Sequence, residues 1–430
     1  MIIYATAYMI RPQVTDSVNR KYFFPALTVK IVGALAVGMI YQFYYAGGDT
    51  FNYHTWGSRI VWESLGESPA SWFKLVFSTS QDETGIYRYT SRMLFFHDPS
   101  SYTVIRVASI FDLFTFSSYS ATAVLFAVFS FIGMWMLFTT FYDGFPELHG
   151  QLAVAMFFIP SVFFWGSGLL KDTLTIGCLG MATFATHRLL IKHQVRGIYI
   201  ALLLGSYIGL YAVKIYILLV FLPAVIVWVF LENLHTLRSL VLRIMLFPSV
   251  ITIAGIIAYL AMIKASEDNA KYSVNTIAKT AQVTAYDIRY YTGKDAGSGY
   301  SLGELDGSFG SMIRLAPQAI NVSLYRPYLW EVSNPLMLLS GLESALFLVM
   351  TVVILIRANL SIFRAISHPS TFFSLLFSLT FAFAVGVSTY NFGSLVRYKI
   401  PMLPFFALAM ILISSYAKRE RKVELFEVTE

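Results

Sequence analysis

The sequence predicts an all-α polytopic membrane protein with about ten transmembrane helices and two large, ordered extracytoplasmic loops. Three observations carry this. Of 430 residues 57% are hydrophobic and only 13% charged, whereas soluble domains carry roughly 25% charged residues. The mean hydropathy is +0.64, and no aqueous fold of this size hides so much apolar surface behind so few ionic groups. Finally, apolar runs long enough to cross about 30 Å of hydrocarbon, roughly 20 residues each, recur along the chain.

Ten such runs can be drawn: Ala26–Tyr45, Tyr119–Phe141, Gly150–Trp165, Lys171–Leu190, Ile198–Val213, Ile215–Leu231, Val241–Ile263, Leu336–Ile356, Thr371–Thr389 and Ile400–Ala417. The two runs on either side of Lys214 are short. They read as two spans, with a re-entrant hairpin as the alternative. The stretch Met1–Ile10 lacks the basic flank and small-residue cleavage site of a signal peptide.

Positive segments resist translocation and stay cytoplasmic, so Lys and Arg set the orientation. Arg11, Arg20 and Lys21 precede the first run; Arg188, Lys192 and Arg196 follow the fourth; Arg238 follows the sixth; Arg357 and Arg364 follow the eighth. The tail residues Lys418, Arg419, Arg421 and Lys422 agree with them. Both termini are therefore expected in the cytoplasm. The net charge of +7 reads as topology, and no nucleic-acid partner is expected. The single cysteine, Cys178, excludes an internal disulfide and lies in an apolar run where an inert thiol is usual.

This topology leaves residues 46–118 and 264–335 on the outer face. Both are aromatic, unlike disordered loops. The first holds Trp56, Trp62 and Trp72, with an interfacial helix expected near Tyr102–Phe116; the second holds Tyr272, Tyr286, Tyr290, Tyr291, Tyr300, Tyr325, Tyr328 and Trp330. Such rings suit a bilayer surface. The Gly- and Ser-rich stretch Gly293–Gly310 is the natural candidate for a mobile lid.

Chemistry is sought where ionisable residues sit against expectation, because a charge near lipid costs a few kcal/mol unless it has a partner or a role. Asp49 follows the first run, Lys171 and Asp172 open the fourth, and Arg397 and Lys399 open the last. All fall at the outer boundary of the predicted topology, where one site could gather them. Asp49 reads either as a helix N-cap or as a general base taking a proton from an attacking hydroxyl. His54 reads as a second acid/base group, a metal ligand or a hydrogen-bonding loop residue. Arg397 and Lys399 suit a phosphate, Arg through a bidentate fork and Lys as a point charge; the alternative is snorkelling to lipid headgroups. Lys171 is a phosphate contact or the local partner of Asp172, which suits a helix N-terminus. Glu343, inside the eighth run, is either paired with one of these cations or part of a polar cavity wall. Arg326 offers a further phosphate or sugar contact. Asp82 and Glu83 read as a solvated acidic face.

Gly47-Gly48-Asp49-Thr50 with Tyr53 after a first span, Trp165-Gly166-Ser167-Gly168 leading into Lys171-Asp172, and Arg397-Tyr398-Lys399-Ile400-Pro401 before a late span together resemble the GT-C superfamily of integral-membrane glycosyltransferases. The resemblance covers the architecture of most of the chain, through short motifs. It implies a polyprenyl-phosphate-linked sugar as donor and a glycan, lipid or protein acceptor. It also implies an acid (Asp49) near the acceptor, cations (Arg397, Lys399, Lys171, Arg326) near the donor phosphate, substrate contacts from Tyr53, His54, Asp172 and Glu343, and a bacterial plasma membrane. The chain lacks the D-x-D signature of better-defined members, so a divalent metal is left open and no cofactor is assigned. Polysaccharide polymerases or ligases using a lipid-pyrophosphate oligosaccharide are the neighbouring expectation, and a transporter or lipid flippase the expectation from another class. No P-loop, usable G-x-G-x-x-G, H-E-x-x-H or G-x-S-x-G pattern is present, so nucleotide-fed, zinc-protease and serine-hydrolase readings have no motif behind them.

Overall fold

Helix is the only extended regular structure among the described residues, where a single bridge between Gly299 and Asn391 is the one β-type pairing. That is what a lipid solvent demands, because a helix satisfies its backbone polar groups within one segment. The computed structural model describes residues 1–78, 85–234, 246, 248–250, 252–253, 255–256, 282–283, 299–303, 308–359 and 361–427. The chain divides into two compact units: Met1–Leu189 with Val195–Lys214, and Leu190–Gln194 with Ile215–Glu430.

Among the described residues, six helices are long and apolar enough to cross a membrane, or seven if the bent pair Phe392–Tyr398 and Leu403–Arg419 counts as one span. Some of the ten expected runs meet a local break, and one lies mostly outside the described residues. Gly150–Trp165 is broken before Pro160, which opens a new helix, so it forms two short pieces. The runs flanking Lys214 form two helical pieces, together Gly197–Asn233, that meet at Lys214, whose φ of −147° and ψ of 78° are not helical. Val241–Ile263 falls mostly outside the described residues, and Asp82, Glu83, Tyr272, Tyr286, Tyr290, Tyr291 and most of Gly293–Gly310 lie outside them too.

In the first unit, α1 (Ile2–Val14) and α2 (Arg20–Phe43) are followed by the short helices α3 (Asp49–Tyr53), α4 (Arg59–Glu67), α5 (Pro69–Phe77) and α6 (Tyr87–Thr90). A π-helical turn, His54–Ser58, joins α3 to α4. Then come α7 (Pro99–Thr115), α8 (Tyr119–Tyr142), α9 (His149–Phe157), α10 (Pro160–Trp165), α11 (Lys171–Thr186) and the beginning of α12 (Gly197–Asn233). The stretch 46–118 is thus ordered where described, and α7 covers the helix expected near Tyr102–Phe116.

Glycine decides how α8 meets α11. A Cβ on Gly133 would stand 2.1 Å from the Gly177 carbonyl oxygen, and one on Gly180 2.1 Å from that of Gly133. The two backbones therefore touch directly, the contact that small residues permit between helices in lipid. Nearby, Phe23, Phe131, Trp135, Phe138 and Phe157 interlock edge and face, with ring centroids 4.9–6.0 Å apart.

One lysine lies in the middle of a span. Lys30 of α2 is fully buried, and its Nζ donates to the carbonyls of Gly166 (2.9 Å) and Val162 (3.4 Å) and to Ser130 Oγ (3.0 Å). Those carbonyls belong to the C-terminal end of α10, where a helix leaves acceptors unfilled and its dipole favours a cation. One turn on, Gly33 lies so close to α10 that a Cβ would sit 2.4 Å from the Phe163 carbonyl oxygen. Together these contacts fix the Gly166-Ser167-Gly168 turn that delivers Lys171 and Asp172.

The second unit contains the remainder of α12, then α13 (Phe309–Arg314), α14 (Ala316–Tyr325), α15 (Pro335–Ala358), α16 (Ser361–Ser367), α17 (Pro369–Thr389), α18 (Phe392–Tyr398) and α19 (Leu403–Glu427). Its core is aromatic: Phe221, Trp228, Phe373, Phe377, Phe381 and Phe405 are all at most 1% exposed. Gly386 lets α17 reach the Ala319 carbonyl, which a Cβ would approach to 2.3 Å. Helices α18 and α19 bend by 68° across Lys399–Met402, with Pro401 inside the bend.

Candidate functional site

In the first unit, the polar residues singled out in the sequence gather around the N-terminus of α11. Gly47 and Gly48 take φ of 133° and 122°, a region that side chains disfavour, and a Cβ on Gly48 would meet the Tyr41 ring at 2.8 Å. Gly48 is the N-cap of α3, and Asp49 is the first residue of the helix. The reading of Asp49 as the N-cap is thereby replaced, with its carboxylate at the favourable positive end.

Lys171 donates from Nζ to Ser100 Oγ (2.6 Å) and Asp98 Oδ2 (3.3 Å). Its charge also feels Asp49 and Lys214. Asp172 pairs at very short range with Lys214, and both are buried. Asp172 therefore has its cation partner in Lys214, while its neighbour Lys171 turns to Asp98. The result is alternation of Asp98, Lys171, Asp172 and Lys214, with Asp49 acting on the same lysine. Tyr53 is buried with its ring 5.3 Å from Phe95. His54 is buried too, its Nε2 3.0 Å from the Ser117 carbonyl oxygen.

Asp98 was not singled out in the sequence, although Asp98-Pro99-Ser100-Ser101 is a helix-start signature. Its side chain caps α7 by accepting from the Ser100 backbone N–H, and it accepts also from the Ser101 hydroxyl. Partial burial pushes the Asp98 carboxyl up, but the Ser101 hydrogen bond, the Lys171 charge and further bonds from Ser100 and Lys171 outweigh it and hold it at about 2. A carboxyl lower in the fold than its ordinary 3.8 contributes stability above about pH 4, and that contribution disappears as pH falls through about 2. Asp98→Asn is therefore expected to flatten the acid limb of thermal stability between those values, measured by melting the detergent-solubilised protein. An acid limb of unchanged steepness would dismiss the Asp98–Lys171 contact.

In the second unit, Lys399 lies in the bend between α18 and α19, fully buried, with Nζ 3.0 Å from Ser344 Oγ. Glu343 is near enough to act on its charge. Ser344 Oγ donates onward to the Arg326 carbonyl at 3.1 Å. Arg326 itself grips Glu331 in a bidentate pair. Its guanidinium also stands 5.2–5.7 Å from the rings of Phe392, Tyr300 and Tyr328. Arg326 is thus largely committed within the protein, and Arg397 on α18 is half-buried.

The structure thus brings Asp49, Lys171 and Asp172 together in one unit, and Arg326, Glu343 and Lys399 together in the other. Among the described residues, no three His, Cys, Asp or Glu side chains approach closely enough to hold a metal ion. Comparison with protein-family models, curated proteins and solved structures finds no match.

Proposed function

We propose that the chain is an integral-membrane glycosyltransferase of the GT-C type, moving a sugar from a polyprenyl-phosphate donor to an acceptor hydroxyl on the outer face of the membrane. The observation that carries this reading is the charge cluster at the start of α11, where Asp49 and Lys171 act on one another in a protein whose apolar helices suit a lipid-borne substrate. Asp49 takes the proton of the acceptor hydroxyl. Lys171 neutralises charge growing on the departing phosphate, and groups aimed at such charge are typically worth a hundredfold or more in rate. Donor binding is tested by native mass spectrometry with a polyprenyl phosphate. Retention by the wild type and at least tenfold weaker retention by Lys171→Ala support the reading; equal retention by both counts against it.

A transporter is the second reading, and one observation favours it. The longest apolar helix is interrupted at Lys214, which is ion-paired to a buried Asp172; interrupted helices with buried charges form the binding sites of many transporters. Flux of the lipid or sugar across proteoliposomes without a glycosidic product would select it.

A further inference from the structure

Outside the cluster at α11, the first unit holds a second polar group. Asp112 of α7 is fully buried. Its Oδ1 accepts from the hydroxyls of Thr122 (2.6 Å) and Thr115 (3.3 Å), while its Oδ2 is buried with no hydrogen-bond partner. A carboxylate oxygen in that state is expensive unless it meets a positive charge. Close by, the His54 ring lies edge-on to Tyr119 at 5.6 Å, and its Nε2 faces the Ser117 carbonyl at 3.0 Å. A carbonyl only accepts, so Nε2 carries the hydrogen, and Nδ1 is the atom that gains or loses a proton.

We propose that Asp112 and His54 form a buried proton-binding pair, in which His54 Nδ1 takes up one proton and the Asp112 carboxylate balances the imidazolium charge. No covalent bond changes; the site passes from net −1 to neutral as one proton enters. The ionisable groups that bear on His54 are Asp112 from α7 and Arg59 at the start of α4, with the Tyr119 ring of α8 against it; its own segment contributes Asp49 and Tyr53 on α3. Burial lowers the proton affinity of His54, Asp112 and the Ser117 carbonyl raise it, Arg59 lowers it, and the net is below the ordinary value of 6.5. The site is therefore empty of its proton at neutral pH and fills on acidification. The same ring packs on Tyr119, whose hydroxyl bonds Thr50 at 2.8 Å, so filling it acts on the helix that begins with Asp49. The proposal does not depend on the glycosyl-transfer reading.

The test is an NMR titration of the histidine ring carbons in the full-length protein in nanodiscs, with His54 assigned by its loss in His54→Gln. The wild-type midpoint should lie below 6.5. Asp112→Asn should weaken proton binding by roughly tenfold, moving the midpoint about one unit lower. Arg59→Gln, a change at an exposed position, should move it upward at low ionic strength and serves where Asp112→Asn does not fold. An unmoved midpoint in folded Asp112→Asn, or in Arg59→Gln, overturns the pair.

Discussion

Asp172→Ala is expected to cost about 3–5 kcal/mol of stability, the range for removing one partner of a buried ion pair. The side chain of Lys214 is 7% exposed and that of Asp172 is fully buried, so the ammonium left behind loses its carboxylate at a place nearly closed to water. Lys214→Ala should cost a similar amount by stranding the carboxylate. Replacing both at once, with Asp172→Leu and Lys214→Met, should recover much of the loss, because well-packed apolar side chains often match or exceed a buried pair. Denaturant titration of the detergent-solubilised protein measures all three. Single substitutions that each cost less than about 1 kcal/mol would mean that the two charges are hydrated and the close pair is not formed. The stable but uncharged double variant also separates roles. Lost activity in a folded protein would place the pair in function, and retained activity would make it structural.

Lys30→Glu should abolish folded protein altogether. The amine donates to three oxygen atoms in a span interior, and a carboxylate there would face two backbone carbonyls that cannot donate. Several kcal/mol of desolvation per ion then has no compensation, which is comparable with the whole stability of a typical domain. Lys30→Met is the informative contrast. It removes the donor without adding an anion, and the Gly166 carbonyl still accepts from Ser130 Oγ at 2.7 Å. It should fold with modest loss while loosening the turn before Lys171. Membrane-inserted yield and size-exclusion profile distinguish the two variants; equal yields would show that the buried amine does not face those carbonyls.

The apolar helices were legible because a lipid solvent writes itself into composition. Tyr119–Phe141 and Leu336–Ile356 differ from the observed helices by at most two residues at either end. The breaks were harder to read. Pro160 marks one plainly, but the break at Lys214 comes with no helix-breaking residue at that position; the partner of Lys214 is 42 positions away. What was legible of Asp49, Lys171, Asp172, Arg397 and Lys399 was their shared place at predicted span ends, a one-dimensional property. Their actual partners were not, because pairing Lys171 with Asp98, or Lys399 with Ser344 and Glu343, depends on tertiary packing. Arg326 illustrates the limit: its sequence context offered a cation to a ligand, and the fold gives that cation Glu331 and three aromatic rings. Lys30 and Asp112 went unremarked because one charge in an apolar run carries no local pattern that tells of three acceptors or an unsatisfied oxygen.

The account turns on Asp49 and Lys171 serving one transfer reaction. The direct measurement is glycosyl transfer by the purified protein in proteoliposomes supplied with polyprenyl-phosphate sugars, comparing wild type with Asp49→Asn and Lys171→Ala. The account predicts product from the wild type and a loss of a hundredfold or more in each folded variant. Full transfer by both variants, or lipid flux without any glycosidic product, would contradict it.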